Sequence, residues 1–193
     1  MPQLLQPSTA DIRAFLDRQS TLDLTYPAVG ATATTLPNGY TVDRTRVKLG
    51  AGQTAFDVAR AALEHWRHFD LGWVQAFPRN AAIEPGAVVA VVARTFGVWW
   101  LNACRIVYVI DDDTTPLRRS GFAYGTLPGH AESGEERFMI EWDRTDDSVW
   151  YDILAFSRPR HPLAKLGYPL TRRLQKKFAR DSAGRIRSGT GRA

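Results

Sequence analysis

The stretch after Leu127 gathers residue types that could move protons: His130, Glu132, Glu135 and Glu136. A histidine beside carboxylates can serve as a general base, its pKa raised by negative neighbours. His130, Glu132 and Glu135 are therefore the candidate catalytic groups. The competing reading is a solvated loop, because no nucleophile or oxyanion donor is identifiable nearby. His130 with two acids falls short of a distinctive metal-ligand pattern. Neither a metal nor a cofactor is expected.

A second constellation is charge on apolar strand faces. Glu136 alternates in phase with Phe138, Ile140 and Trp142. Asp152 is in phase with Trp150, Leu154 and Phe156, and Arg105 with Trp99, Leu101 and Val107. Burying such charges unpaired costs roughly several kcal/mol, so they should find each other or a ligand. Trp99, Arg105, Tyr124, Glu136, Trp150 and Asp152 form the candidate ligand-binding set, with an Arg105–Asp152 or Arg105–Glu136 pair at its centre. A structural ion pair is the bland alternative. Parity is the open question. Trp100, Cys104, Ile106 and Tyr108 make an equally apolar opposite face, and a one-residue change in the 144–148 turn exchanges the faces of the strand that follows.

The third candidate is electrostatic. From Arg158 onward there are eleven Lys or Arg and one acid, Asp181, while the preceding residues hold fourteen basic and nineteen acidic side chains. The net charge of +5 is thus a property of one end. Arg172, Arg173, Lys176, Lys177 and Arg180 would project from a C-terminal helix and could meet an anionic partner. No nucleic-acid motif accompanies them, so nucleic acid is not the expected partner. Peripheral contact with an anionic membrane is the alternative.

These groups need elements to position them. Ser8-Thr9-Ala10-Asp11 is a capping box opening a short helix to about Gln19. Residues 24–38 read as an irregular linker ending in the Asn38-Gly39 turn. Tyr40–Leu49 alternates as a strand. Thr54–Asp57 reads as a second capping box, opening a helix to about Phe69. Phe56, Ala59, Leu63, Trp66 and Phe69 form its buried face, and His65 and His68 its solvated one. Six strands follow: Trp73–Phe77, Ala87–Phe96, Val98–Ile110, Gly121–Leu127, Glu135–Asp143 and Val149–Ser157. Asp111–Arg119 is expected as a charged loop, and the glycines of 121–125 as curvature or a bulge. Leu163, Leu166, Leu170, Leu174 and Phe178 recur at helical spacing; Pro169 predicts a kink or restart and Gly184 an end.

Strands without βαβ alternation predict an α+β fold: a seven-stranded curved antiparallel sheet wrapped around a long C-terminal helix, plus a short N-terminal helix. Residues 1–39 would be helix and linker, 40–182 the main domain, and 183–193 a basic disordered tail. A single cysteine, Cys104, excludes an intramolecular disulfide and an all-cysteine zinc site. With no signal-like N-terminus and no run long enough to span a bilayer, the expectation is a cytoplasmic protein.

Longer stretches carry a resemblance. Trp99–Tyr108, Gly121–His130, Gly134–Phe138 and Val149–Ile153 are similar to an uncharacterised family catalogued as domain of unknown function nineteen-ninety. That family sits within the START-like and birch-pollen-allergen-like helix-grip superfamily. The resemblance spans residues 40 to about 182 and implies the fold more than the function. The wider superfamily includes lipid and hormone carriers, polyketide cyclases and hydrolases. Three readings follow. One is a binding module for a small apolar or amphipathic molecule between sheet and helix. Another is an enzyme of hydrolase or cyclase type using His130 and a neighbouring glutamate. The third is an interaction protein docking through the basic helix. The oligomeric state is not legible.

Overall fold

The structure, a computed structural model, describes residues 2–161 and 166–190. Leu163, the expected start of the C-terminal stripe, lies outside them, as do residues 191–193 of the expected tail. The order is β1 (Pro2–Gln3), α1 (Thr9–Gln19), β2 (Thr41–Ala51), α2 (Gly52–Glu64), β3 (Val74–Phe77), β4 (Val88–Thr95), β5 (Val98–Thr114), β6 (Leu117–Thr126), β7 (Glu132–Asp143), β8 (Ser148–Pro159) and α3 (Tyr168–Thr190). Seven strands form one antiparallel path, β2-β8-β7-β6-β5-β4-β3, and β1 pairs with β5 beside Trp99 and Trp100. This is the α+β helix-grip architecture the sequence predicts. Among the described residues no helix is long and apolar enough to cross a membrane.

Both faces of the sheet are covered. On the concave face, Phe56, Ala59 and Leu63 of α2 and Ala183 and Ile186 of α3 pack on Ile106, Phe122, Phe138, Ile140 and Tyr151. On the convex face, Ile12, Phe15 and Leu16 of α1 cover Ala90, Val92, Leu101 and Ala103. Burying each such aromatic or aliphatic side chain stabilises by about 1.5–3 kcal/mol. The α1 capping box forms as expected: Asp11 N–H donates to Ser8 Oγ at 3.2 Å, and Ser8 N–H donates to the Asp11 carboxylate at 3.0 Å.

Several local expectations are corrected. α2 begins at Gly52, not at a Thr54 cap, because Gly52 takes φ 82° and turns the chain directly out of β2. α2 then ends at Glu64. Trp66 adopts φ 57°, a left-handed conformation, a 3₁₀ turn over Arg67–Phe69 follows, and this swings His68 from the expected solvent side into the core at 0% exposure. The Asp111–Arg119 loop is instead the end of a β-ribbon. Asp112 pairs with Arg119 at 3.6 Å and Asp113 with Arg118 at 3.5 Å, so cross-strand charges hold the ladder together.

α3 restarts at Tyr168 with Pro169 in its first turn, where a missing N–H costs nothing. It does not end at Gly184 but continues to Thr190. Its buried stretch is also displaced. Ser182, Ala183 and Ile186 are buried, while Leu166 is 85% exposed. The helix is therefore anchored by its second half, and its first half spans the open end of the hollow.

Candidate functional site

Between that first half of α3 and the concave sheet lies a cavity of about 400 Å³. Its apolar wall includes Val91, Ala93 and Trp100 from β4 and β5, and Leu170, Leu174 and Phe178 from α3. Its polar groups include Tyr124, His130, Glu132, Glu136, Ser157 and Gln175. Of the candidate site residues singled out from sequence, Tyr124, His130, Glu132, Glu135, Glu136 and Lys176 lie along this space, Glu135 with its carboxylate bonded elsewhere.

The strand parity decides the rest. β5 alternates so that Trp100, Asn102, Cys104 and Ile106 face inward and Trp99, Leu101, Ala103 and Arg105 face α1. Arg105 donates to the Ser20 carbonyl, at the end of α1, at 2.6 Å. Neither expected Arg105 pair forms. A register shift between Ile106 and Tyr108 then reverses the alternation, and Tyr108 reaches Thr32 Oγ1 at 2.6 Å. On β8, Val149, Tyr151 and Ile153 face inward, which puts Trp150 and Asp152 outside. Trp150 stacks under Arg46, and Asp152 meets Arg44 at 2.7 Å, Arg137 at 2.9 Å and Arg46 at 3.5 Å. Trp99, Arg105, Trp150 and Asp152 are thus convex-face residues, not cavity ligands.

Glu135 is corrected in the same way. Its side chain is turned outward and accepts from Tyr26 Oη and Gly30 N, each at 2.7 Å, Thr32 N at 2.9 Å and Thr32 Oγ1 at 2.5 Å. It anchors the 24–33 segment to the sheet. Gly125 makes this possible, since a Cβ there would come within 2.1 Å of Tyr26 Oη. The β6 glycines allow close approach: a Cβ at Gly121 would meet the Phe138 carbonyl oxygen at 2.1 Å.

His130 is held by α1, the helix with no apparent role in sequence. Gln19 accepts from Gly129 N at 2.6 Å, and Phe15 packs so close to Gly129 that a Cβ would lie 2.5 Å from its ring. Asn102 Oδ1 accepts from Ala131 N at 3.1 Å on the other side. The imidazole is not a base raised by acidic neighbours: burial pushes it down to about 3. Nδ1 accepts from Glu132 N at 2.9 Å, which leaves the ring proton on Nε2.

The carboxyls behave in the opposite sense. Burial raises Glu136 to about 7, against the pull of the Tyr124 hydroxyl that donates to it at 2.7 Å. Burial also raises Glu132 to about 7, with the Ser157 hydroxyl and the Arg172 charge drawing it back. Glu132 is 7% exposed, and neither of its oxygens has a hydrogen bond of normal geometry. Ser157 Oγ accepts from Gln175 Nε2 at 3.2 Å and keeps its own proton to turn toward Glu132, while Arg172 is bound to Asp43. Among the described residues no three His, Cys, Asp or Glu side chains converge as a metal ion needs.

The basic helix is partly self-neutralised. Arg172 pairs with Asp43, Lys177 with Asp181 and the Trp73 ring, and Arg180 with Asp181 at 3.6 Å. Arg173 and Lys176 have no carboxylate within 4.0 Å among the described residues. Sequence reasoning did not single out Ser157, Gln175 or Asn102 as site residues, because isolated polar positions on three different elements carry no spacing signal.

The sequence profile described as Domain of unknown function (DUF1990) matches residues 25–185. The chain belongs to that family. A "UPF0548 protein" of Dictyostelium discoideum is 40% identical over 161 residues, 80% of this chain and 74% of that protein. A "UPF0548 protein" of Deinococcus radiodurans is 35% identical over 198 residues, covering 93% of this chain and 94% of that one. Among solved structures, human STARD10 is similar over 92% of this chain and 80% of its own, at 13% identity and a TM-score of 0.42. The matched residues 25–185 take in both sides of the cavity and the strand that carries Glu132 and Glu136.

Proposed function

We infer that the protein binds a small amphipathic molecule in the cavity between the concave sheet and the first half of α3. One observation carries this reading: a space of about 400 Å³, in the range of small-molecule pockets, is walled by apolar side chains and holds two carboxyls, Glu132 and Glu136, that have no cation within 4.0 Å among the described residues. A packed structural core would instead close on itself, as it does around Phe56, Phe138 and Ile186. The exposed Leu170 on α3 lines the cavity and stands where an entering molecule would pass.

Native mass spectrometry of protein purified from its own host tests the reading. The expected result is a co-purifying small molecule that is lost in Ala155→Phe. Ala155 lines the cavity opposite Glu136, so the ring would fill the space without removing a polar group. An unloaded wild-type protein, or one whose bound molecule survives the filling, counts against it.

Catalysis is a second reading with one supporting observation. A cavity carboxyl raised to about 7 is suited to accept and return a proton near neutral pH. The acting group would be Glu132, because His130 is held neutral. The molecules recovered from wild type and from Glu132→Gln separate the two readings. Catalysis predicts that they differ by a covalent change, and simple carriage that they are identical.

A further inference from the structure

We propose that the molecule bound in the cavity presents a protonated amine to Glu132, and that its hydrocarbon body lies along Trp100, Ala93, Leu170 and Leu174. This deepens the binding reading above and rests on it.

The argument starts from what Glu132 lacks. It is 93% buried, it lines the cavity, and both carboxylate oxygens are without hydrogen-bond partners among the described residues. A buried polar group in that state is unusual, because leaving it unmade costs more than a typical hydrogen bond returns. No Lys, Arg or His side-chain nitrogen forms an ion pair within 4.0 Å of its carboxylate oxygens among the described residues, and His130 meets only its backbone N–H. Glu136, four residues along the same strand and facing the same space, also has no cationic neighbour at that distance and takes one hydrogen bond, from Tyr124.

The nearest cation that could serve is already committed. Arg172 is bound to Asp43 by a two-pronged contact and bonds Gln175 Oε1 at 2.8 Å. Lys176 lies at the rim, with its side chain exposed. The neutral His130 ring adds no charge. Of the four acids along the cavity, Asp43 is paired with Arg172 and Glu135 is held by four donors, whereas Glu132 and Glu136 lack the opposite charge that Asp152 has on the convex face. A ligand carboxylate or phosphate would face repulsion from both. An ammonium supplies charge and donors together, and its hydrogen bonds to a carboxylate are the stronger kind. Burial pushes Glu132 up to about 7 in the empty cavity; an ammonium beside it would draw that value down, so the ligand and the ionised carboxyl favour each other.

Three probes of equal length separate the possibilities: octylamine, octanol and octanoate, each titrated by calorimetry at pH 8 into the wild type and Glu132→Gln. The amine is expected to bind about tenfold or more tightly than the alcohol, with octanoate weakest. In Glu132→Gln that preference should vanish while alcohol binding persists. Persistence also shows that the variant is folded and its cavity open. Equal or tighter binding of octanol or octanoate to wild type overturns the amine assignment and leaves the cavity reading standing, as does a preference that survives in Glu132→Gln. Failure of all three to bind overturns both.

Discussion

On the convex face Glu135 accepts four hydrogen bonds, from Tyr26, Gly30 and two atoms of Thr32, and Asp152 is surrounded by Arg44, Arg46 and Arg137. One residue further along β7, on the concave face, Glu136 has Tyr124, and Glu132 has no hydrogen bond among the described residues. The two faces share a strand and similar burial. They differ in whether their charges are answered by the protein itself. Answered charges fasten the N-terminal segment and β2 to the sheet. Unanswered ones oppose folding.

The comparison breaks most visibly at Asp152. Asp152→Ala removes the shared partner of three arginines, one of them, Arg137, largely buried. Breaking a buried pair in this way should cost about 3–5 kcal/mol in urea unfolding. A loss within about 0.5 kcal/mol would show that the convex network is ornamental.

His68 tests the concave core by pH. It is buried among Trp66, Phe69, Phe122 and Phe138 with both ring nitrogens unpartnered, and burial pushes its pKa down to about 3. Its neutral form is compatible with the fold, so this contribution is complete above about 6.5 and is lost as pH falls toward 3. Relative to neutral pH, His68→Leu should gain on the wild type by roughly 3 kcal/mol at pH 4. Parallel stability–pH curves for the two proteins would contradict this.

Gly125→Ala sharpens the link between the faces. The added methyl meets Tyr26 Oη and must displace the ring that reaches Glu135. A loss of about 1–3 kcal/mol is expected, with a change in Tyr26 environment visible by NMR. Unchanged stability would mean that Tyr26 moves aside without consequence.

Glu132→Gln should have little effect on the empty protein at low pH, and the opposite sign above neutral pH. Because burial raises the folded-state pKa to about 7, the glutamate's contribution is complete below about 4.5 and is lost as pH rises through 7. Taking pH 5 as the reference, the variant should gain on wild type by roughly 2 kcal/mol at pH 8, measured by thermal melts. A destabilised variant at pH 8 would show that Glu132 is answered after all.

Much of the fold was legible because it rests on local pattern. The Ser8 capping box, the apolar spacing of Phe56, Ala59 and Leu63, and the run of β-rich segments are short-range signals. The cavity was only half legible. Glu136 was placed correctly because Phe138, Ile140 and Trp142 mark its face. Arg105 and Trp99 were misplaced because both faces of β5 are apolar, one meeting α1 and the other α2 and α3. His68 was misplaced by a left-handed Trp66 that nothing in the sequence announces.

The amino-acid order by itself determined most of the segments that form the antiparallel sheet, that a long helix closes the chain's far end, and that Glu135 and Glu136 stand in the β7 run; Glu132 read as loop. Tertiary structure decided which of those acids are satisfied. That depends on contacts far apart in sequence, such as Tyr26 and Thr32 reaching Glu135 and Arg44 reaching Asp152. Side-chain direction on a strand alternates every residue, so a single register shift near Val107 or a turned residue in the 144–148 hairpin is enough to send a charge to the core or to the cavity.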